Sequence, residues 1–338
     1  MKIAMIICYY GSLPAYFEAW AKTVVFNPQI EFFFITDIEY ERTLPKNIRL
    51  IKMGFGELVE RIEDQMGFPI SLRSAYPYKL CDFKPTYGLI FAKELDGYDF
   101  FGNCDIDMAF GDLSKYISAD ILEKHEKIFR LGHFTLYKNN EKMRKLFMGG
   151  GGIWDYETSF QSQHITGFDE YLGVDLIARE NKVKCYFSNV YADIATNHKK
   201  AMKAKNHVNY TEQVFYWENG KAMRAYINEG EVGTDEFMYI HWQKKNPVCG
   251  IDKADDCASF YIFPDAIVLK EKGGIPPADE IRKLSAKGGL ARDVADQIGY
   301  YGGKVMSIAK MGKEERSVRM VQLKNREINK AFRRESYK

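Results

Sequence analysis

Two carboxylates one residue apart, Asp105 and Asp107, close an apolar stretch at 98–111 that reads YDFFGNCDIDMAFG. In an extended chain residues two apart point to the same side, so both carboxylates would face one cleft. Two anions there repel each other unless a positive charge lies between them. A hard divalent cation carrying phosphate oxygens meets that need, because such cations take carboxylates and substrate phosphates together as ligands. Asp-x-Asp is also common as a solvated turn, and position is what gives this pair weight. It follows Phe100 and Phe101, residues suited to a buried strand, and open α/β sheets bind ligands beyond the carboxyl ends of their strands.

Other groups could share such a cleft. The block at 76–95, YPYKLCDFKPTYGLIFAKEL, leads directly into that strand and carries Lys79, Asp82 and Lys84 among aromatics. These charges read either as the solvated start of a helix or as a cleft wall. In the second reading the lysines reach phosphates and Asp82 orients a ribose or sugar hydroxyl. In HITGFDEYLG (164–173), Thr166-Gly167-Phe168 would set Asp169 and Glu170 at the start of a short helix. Acids are favoured there on electrostatic grounds alone. The functional alternative makes one of them, Asp169 first, a general base or a partner for hydroxyls of a second substrate. His241 ends the apolar run FMYIHW much as Asp105 ends its own, with Lys244 and Lys245 just beyond. A lone histidine in that place is more often structural. Beside those lysines it reads as a neutral imidazole ligand to the cation, with Lys244 or Lys245 on a diphosphate. His133, within FRLGHFTLYKN, reads as a satisfied core or wall residue.

The elements that would position these groups alternate along the chain. Continuous apolar runs at 3–10, 30–36 and 48–53 read as strands buried on both faces, and 16–25 and 55–66 show helical spacing. That order predicts an α/β domain with a largely parallel sheet flanked by helices. The spacing predicts a helix over 113–128, one strand over 129–139, further strands at 183–187 and 214–217, a hairpin turn at 218–220 into 222–227, and a strand at 237–242. Four glycines at 149–152 match no phosphate-binding fingerprint and read as a mobile loop that closes over substrate. Beyond 245 the pattern loosens into a polar, helix-prone extension over 246–338.

Composition bounds the rest. With 46% apolar and 28% charged residues the chain reads as globular. The 14% aromatic content suits sugars, whose C–H faces pack on rings, although aromatics are more often core. From Lys304 onward eleven Lys/Arg face four Asp/Glu, a net of +7, so a total of +2 leaves −5 on the preceding residues. That balance argues against nucleic acid as a partner of the candidate site. The basic tail, with interspersed Met, Val and Leu, reads as a helix packed on the main domain or as a surface helix docking on anionic lipid. Cys8, Cys81, Cys104, Cys185, Cys249 and Cys257 have no metal spacing and read as reduced thiols, which favours the cytoplasm. The opening MKIAMIICYYG reads as a first strand rather than a signal peptide, and no run is long and apolar enough to span a bilayer.

Taken together, ICYYG, FFFITD, YPYKLCDFKP, YDFFGNCDIDMAFGDL, FRLGHFTLYKN, GFDE and YIHWQKK resemble a family of glycosyltransferases from bacterial polysaccharide loci, itself similar to the GT-A fold. The resemblance covers about 1–245. It implies a catalytic domain there; the basic, helical extension expected over 246–338 is read from composition alone. The resemblance further implies Asp105, Asp107 and His241 as ligands of Mn²⁺ or Mg²⁺ on the diphosphate of a nucleotide sugar, UDP-linked, with Tyr9 and Asp37 beside the nucleoside. The implied acceptor is a glycan or lipid-linked glycan, at the inner face of the cell membrane, in surface-polysaccharide synthesis. A sugar nucleotidyltransferase would use the same carboxylates, but it ordinarily needs a glycine- and basic-rich loop where this chain has Tyr9-Tyr10-Gly11-Ser12-Leu13. A catalytically silent glycan-binding or scaffold protein is the reading from outside enzymology.

Overall fold

Apolar runs alternating with amphipathic helices build the central sheet of the computed structural model, which describes residues 1–198, 201–205, 207–251, 259–286 and 311–325. Ile3–Cys8 (β1), Ile30–Thr36 (β2), Ile48–Lys52 (β3) and Phe100–Cys104 (β4) pair in parallel in the order β3-β2-β1-β4. Successive side chains point to opposite faces. Met5, Ile7, Phe32 and Phe34 therefore enter one core, and Ala4, Ile6, Phe33 and Ile35 the other. The helix Phe17–Val24 covers the first face through Phe17, Trp20 and Val24, and the helix Phe55–Met66 covers the second through Leu58 and Ile62. Phe32, Phe33 and Phe34 are all fully buried, a contribution of about 1.5–3 kcal/mol each. Gly67 ends the helix Phe55–Met66 in the left-handed conformation (φ 76°) that a side chain would resist.

After β4 the chain changes direction. Met108–Phe110 (β5) leaves the sheet, while Lys127–Leu131 (β6) and Phe134–Lys138 (β7) form an antiparallel hairpin with β7 against β4. Cys185–Tyr186 (β8) adds an edge beside β6, completing the order β3-β2-β1-β4-β7-β6-β8. The fold is thus mixed α/β with a largely parallel sheet flanked by helices. Ala192–Asp193 (β9) belongs to a small second sheet, described with the site below. Gln213–Glu218 (β10), Lys221–Asn228 (β11) and Glu231–Phe237 (β12) form a meander. Its first turn places Asn219 (φ 46°) and Gly220 (φ 79°) in left-handed conformation, as the two-residue hairpin turn of Asn-Gly requires. Tyr239–His241 (β13) follows, and Val248–Cys249 (β14), Ser259–Ile262 (β15) and Ala266–Leu269 (β16) join the meander in the order β12-β11-β10-β15-β16-β14.

Four sequence expectations change here. The helix expected over 113–128 is a short turn of 3-10 helix, the helix Ala119–Lys124 and then β6. The single strand expected over 129–139 is a hairpin whose tip is Gly132-His133, with Phe129 at φ 62° disturbing the register. The glycine loop 149–152 is packed rather than free-standing. A Cβ on Gly149 would lie 2.9 Å from Asn181 Nδ2, and one on Gly151 2.4 Å from Glu180 Cγ, so the glycines permit close packing against the helix Val174–Glu180. The boundary expected at 245 falls inside a sheet, because β15 pairs with β10 along four residues, so residues just beyond 245 are strands of the same body rather than a helical extension.

Helices do follow. Ala278–Ser285 buries Ile281 against the meander, and Lys313–Lys324 buries Val318 and reaches the segment before Asp169, with Gln322 Nε2 donating to the Thr166 carbonyl at 3.2 Å. The rest of the basic tail expected to meet lipid, 304–310 and 326–338, lies outside the described residues, as does Cys257; the other five cysteines are free. Among the described residues no helix is long and apolar enough to cross a membrane.

Candidate metal and active site

The order of the sheet reverses between β1 and β4: β2 and β3 lie on one side of β1, and β4 on the other. The crevice beyond the carboxyl ends of strands at such a switch point is where open α/β sheets take ligands. Tyr9 follows β1 and Asp105 follows β4, so the topology alone brings both to that crevice. Asp37 lies at the end of β2, exposed. Tyr9 stacks on Phe34 and its hydroxyl donates to the Ser12 carbonyl at 3.1 Å.

Asp105 and Asp107 occupy a bend between β4 and β5 rather than one extended strand, with Ile106 turned into the core. The small sheet supplies the third group. β13 pairs antiparallel with β5, setting His241 opposite Met108, and parallel with β9, setting His241 beside Asp193. That register carries His241 Nε2 to 3.3 Å from Asp107 Oδ1. Ligand atoms of Asp105, Asp107 and His241 all lie within 4.8 Å of one another.

Asp193, which sequence reasoning missed, organises the far side of His241. Its Oδ1 lies 3.0 Å from His241 Nδ1 and accepts from Gln243 Nε2 at 2.9 Å, while Oδ2 accepts from Lys205 Nζ at 2.7 Å. A carboxylate on Nδ1 fixes the ring so that Nε2 faces the Asp-x-Asp pair, the arrangement metal-ligating histidines ordinarily have. Two carboxylates and an oriented imidazole nitrogen suit a divalent cation such as Mn²⁺ or Mg²⁺, so these residues fit one. Without a cation, burial lowers the basicity of His241, but Asp107 and Asp193 outweigh it and raise its pKa to about 10. Burial likewise works against the Asp107 anion, and His241 outweighs it, holding that carboxyl below its usual range. The neutral imidazole expected at His241 therefore requires a cation to displace its proton.

His133 is buried with its ring centroid 4.2 Å from that of His241, and its Nε2 has no hydrogen-bond partner among the described residues, so it is core but not satisfied. Burial, then the charge on His241, pushes its pKa well down.

The block at 76–95 divides its charges between core and cleft. Pro77–Thr86 is a 3-10 helix, in which side chains three apart eclipse. Lys79 and Asp82 share a buried row: Lys79 Nζ meets Asp82 Oδ2 at 2.6 Å and the carbonyls of Ser159 and His164 at 2.8 and 2.7 Å. With all three protons used and 1% exposure, Lys79 does not reach a phosphate. Asp82 accepts from the backbone N–H groups of Thr166, Gly167 and Phe168, each at 2.9 Å, so it clamps the turn before Asp169 rather than a sugar hydroxyl. Lys84 is in the cleft, donating to Asp105 Oδ1 at 2.5 Å and to the Gly132 carbonyl at 2.8 Å.

Asp169 is buried beside this group, in a run of turns before the helix Val174–Glu180 rather than in a helix. It packs so closely on the tip of the β6–β7 hairpin that a Cβ on Gly132 would stand 1.9 Å from its Oδ2 and 3.5 Å from Glu170 Cγ. Burial raises the Asp169 pKa well above the carboxylate range, opposed by Lys84 and reinforced by Glu170, Asp82 and Asp105. Once ionised, as the opposing Lys84 charge favours, such a carboxyl is a stronger base than usual toward a hydroxyl proton. Lys244 is exposed just beyond β13 in left-handed conformation (φ 40°), and Lys245 Nζ donates to the His198 carbonyl at 2.6 Å.

Solved structures similar to this chain include the galactosyltransferase LgtC in complex with donor and acceptor sugar analogues, at 16% identity and TM-score 0.34, covering 58% of this chain and 77% of that one. An active-site mutant of LgtC matches at 16% identity and TM-score 0.34, covering 62% and 80%. Likeness at that level carries no argument about chemistry or substrate. No curated protein matches the sequence. The model of the family of unknown function DUF6625 matches residues 5–271, through the central sheet, the site and all six strands of the sheet built on the meander, and the chain belongs to that family.

Proposed function

We propose that the chain is a metal-dependent glycosyltransferase of GT-A type, moving a sugar from a nucleoside-diphosphate donor, UDP-linked, to a hydroxyl of a glycan or lipid-linked glycan. The observation that carries the reading is the convergence of Asp105, Asp107 and His241 at the switch point, with Asp193 orienting the imidazole. Asp105, Asp107 and His241 would hold Mn²⁺ or Mg²⁺. The bound cation supplies Lewis-acid stabilisation of the departing diphosphate. Tyr9 and Asp37, at the ends of β1 and β2, would face the nucleoside, and exposed Lys244 would approach the phosphates. In the transfer the anomeric C–O bond to the diphosphate breaks and its electron pair leaves with the phosphate. A new bond forms from the anomeric carbon to the acceptor oxygen. In an inverting reaction Asp169 receives the acceptor proton, with Glu170 the neighbouring carboxyl. Lys84 balances Asp105 and Asp169, so the anionic cleft holds together before substrate binds.

A place in surface-polysaccharide synthesis rests on the motif resemblance alone. Contact with anionic membrane is part of the same proposal, supported by the helix Lys313–Lys324, which exposes Met320 and Leu323 beside Lys313, Arg316 and Lys324. The test is slow hydrolysis of a panel of UDP-sugars, with Mn²⁺ and with chelator, by the wild type and Asp107→Ala. One sugar turned over only with metal, and not by the variant, supports the reading. A folded protein that binds no nucleotide sugar in either condition contradicts it and favours a silent glycan-binding protein.

A further inference from the structure

The 3-10 helix Pro77–Thr86 has three rows of side chains. Lys79, Asp82 and Pro85 are buried, as are Leu80, Phe83 and Thr86. The remaining row, Tyr78, Cys81 and Lys84, is the least buried, with Tyr78 exposed and Cys81 and Lys84 partly buried, and it leads away from the cation site. At its inner end Lys84 touches Asp105 at 2.5 Å. In its middle Cys81 Sγ lies within 4.8 Å of carboxylate oxygens of Asp82 and Asp169. At its outer end Tyr78 is 57% exposed and Tyr76, 6.3 Å away ring to ring, is 49% exposed. Apart from Phe26 these are the exposed large aromatics among the described residues, and they stand together at the outer end of this row rather than scattered.

An exposed tyrosine beside a reaction centre presents a flat apolar face and a hydroxyl at its edge. That combination fits a ligand with C–H groups on one face and hydroxyls around its rim, which is a sugar ring. Six residues of 3-10 helix advance about 12 Å, so the row is long enough to support a short oligosaccharide from the reacting hydroxyl outward. The donor side is separate, at Tyr9 and Asp37 beyond β1 and β2. We infer that the row Tyr78–Cys81–Lys84 is a saccharide track, on which an acceptor sugar lies against the Tyr78 ring with its reacting hydroxyl turned toward Asp169. Naming the saccharide an acceptor rests on the glycosyltransferase reading; the track itself does not.

The test measures binding rather than turnover. Saturation-transfer NMR titrations of lactose, maltose and cellobiose are run on the whole protein with UDP and Mg²⁺, for the wild type, Tyr78→Ala and Tyr78→Phe, with UDP binding followed in the same samples. The track predicts that the wild type binds at least one of these saccharides, that Tyr78→Ala weakens it about tenfold, the scale of one lost aromatic contact, and that Tyr78→Phe, which keeps the ring, retains it. Equal binding by wild type and Tyr78→Ala overturns it, and so does a wild type that binds none of the three. Saccharide binding that depends on Tyr78 in a protein that does not bind UDP leaves the track standing and removes the glycosyltransferase reading.

Discussion

Replacing Asp82 by asparagine changes one atom and should cost the fold more than any exposed substitution. The carboxylate takes Lys79 Nζ at 2.6 Å and Thr166 Oγ1 at 3.2 Å, besides three backbone N–H groups at 2.9 Å. Both residues are essentially without solvent, at 1% and 0% exposure. An asparagine turns one of the two oxygens into a donor that faces donors, and it leaves the Lys79 ammonium buried without a counter-charge. Breaking a buried pair in this way costs about 3–5 kcal/mol. Orphaned N–H groups add to that at about 1–3 kcal/mol each where they find no water, though the two penalties do not sum simply. Lys79→Met should cost less, because Asp82 keeps its three N–H donors. Urea unfolding followed by tryptophan fluorescence gives both values. A loss under about 1 kcal/mol for Asp82→Asn would refute the clamp, since that is the scale of an exposed ion pair. Because the clamped turn precedes Asp169, the folded fraction of the variant should also lose any activity that depends on Asp169.

Gly132→Ala should displace Asp169, whose Oδ2 would stand 1.9 Å from the new Cβ, and lower turnover by about a hundredfold, the scale of an ångström's misplacement, in steady-state kinetics; unchanged turnover would argue against Asp169 as the base. Asp193→Asn should weaken Mn²⁺ binding by about 10–100-fold, as loss of a ligand's orienting carboxylate does elsewhere, readable by calorimetry, and undiminished affinity would remove Asp193 from the account. His241 gives a pH signature. Its folded pKa, about 10, lies above its unfolded value, so its stabilisation is complete below the ordinary histidine range and is lost as pH rises through about 10. Melting curves in chelator from pH 6 to 10 should therefore fall toward the alkaline end, and Mn²⁺ affinity should rise over the same range by up to about tenfold per pH unit as the proton becomes easier to displace.

The parallel half of the sheet was legible because its strands are buried on both faces, and runs such as FFFIT have no other economical reading. The hairpin at Asn219-Gly220 was legible for a chemical reason, the two left-handed residues it needs. The stretch 113–139 was not, because its mixed apolar and polar residues carry neither period cleanly and a tight turn at Gly132-His133 interrupts one apolar run. Asp105, Asp107 and His241 were found from residue type at the ends of apolar runs, and the register of β5 and β13 is what brings them together. Asp193 was invisible, since a lone aspartate in a two-residue strand looks like any solvated turn and its meaning comes from β9 lying beside β13. Lys79 and Asp82 were misread because a charge among aromatics looks the same whether it lines a cleft or neutralises a partner in the core. Only the three-residue repeat of the 3-10 helix separates Lys84 from Lys79.

The most direct test of the site is Mn²⁺ uptake itself, followed by electron paramagnetic resonance of the free ion during titration with and without UDP, for the wild type and His241→Ala. One Mn²⁺ should bind per wild-type chain, more tightly with UDP present, with strongly weakened uptake by the variant. Equal uptake by both proteins, or none by the wild type at neutral pH with UDP, would contradict a metal centre built from Asp105, Asp107 and His241.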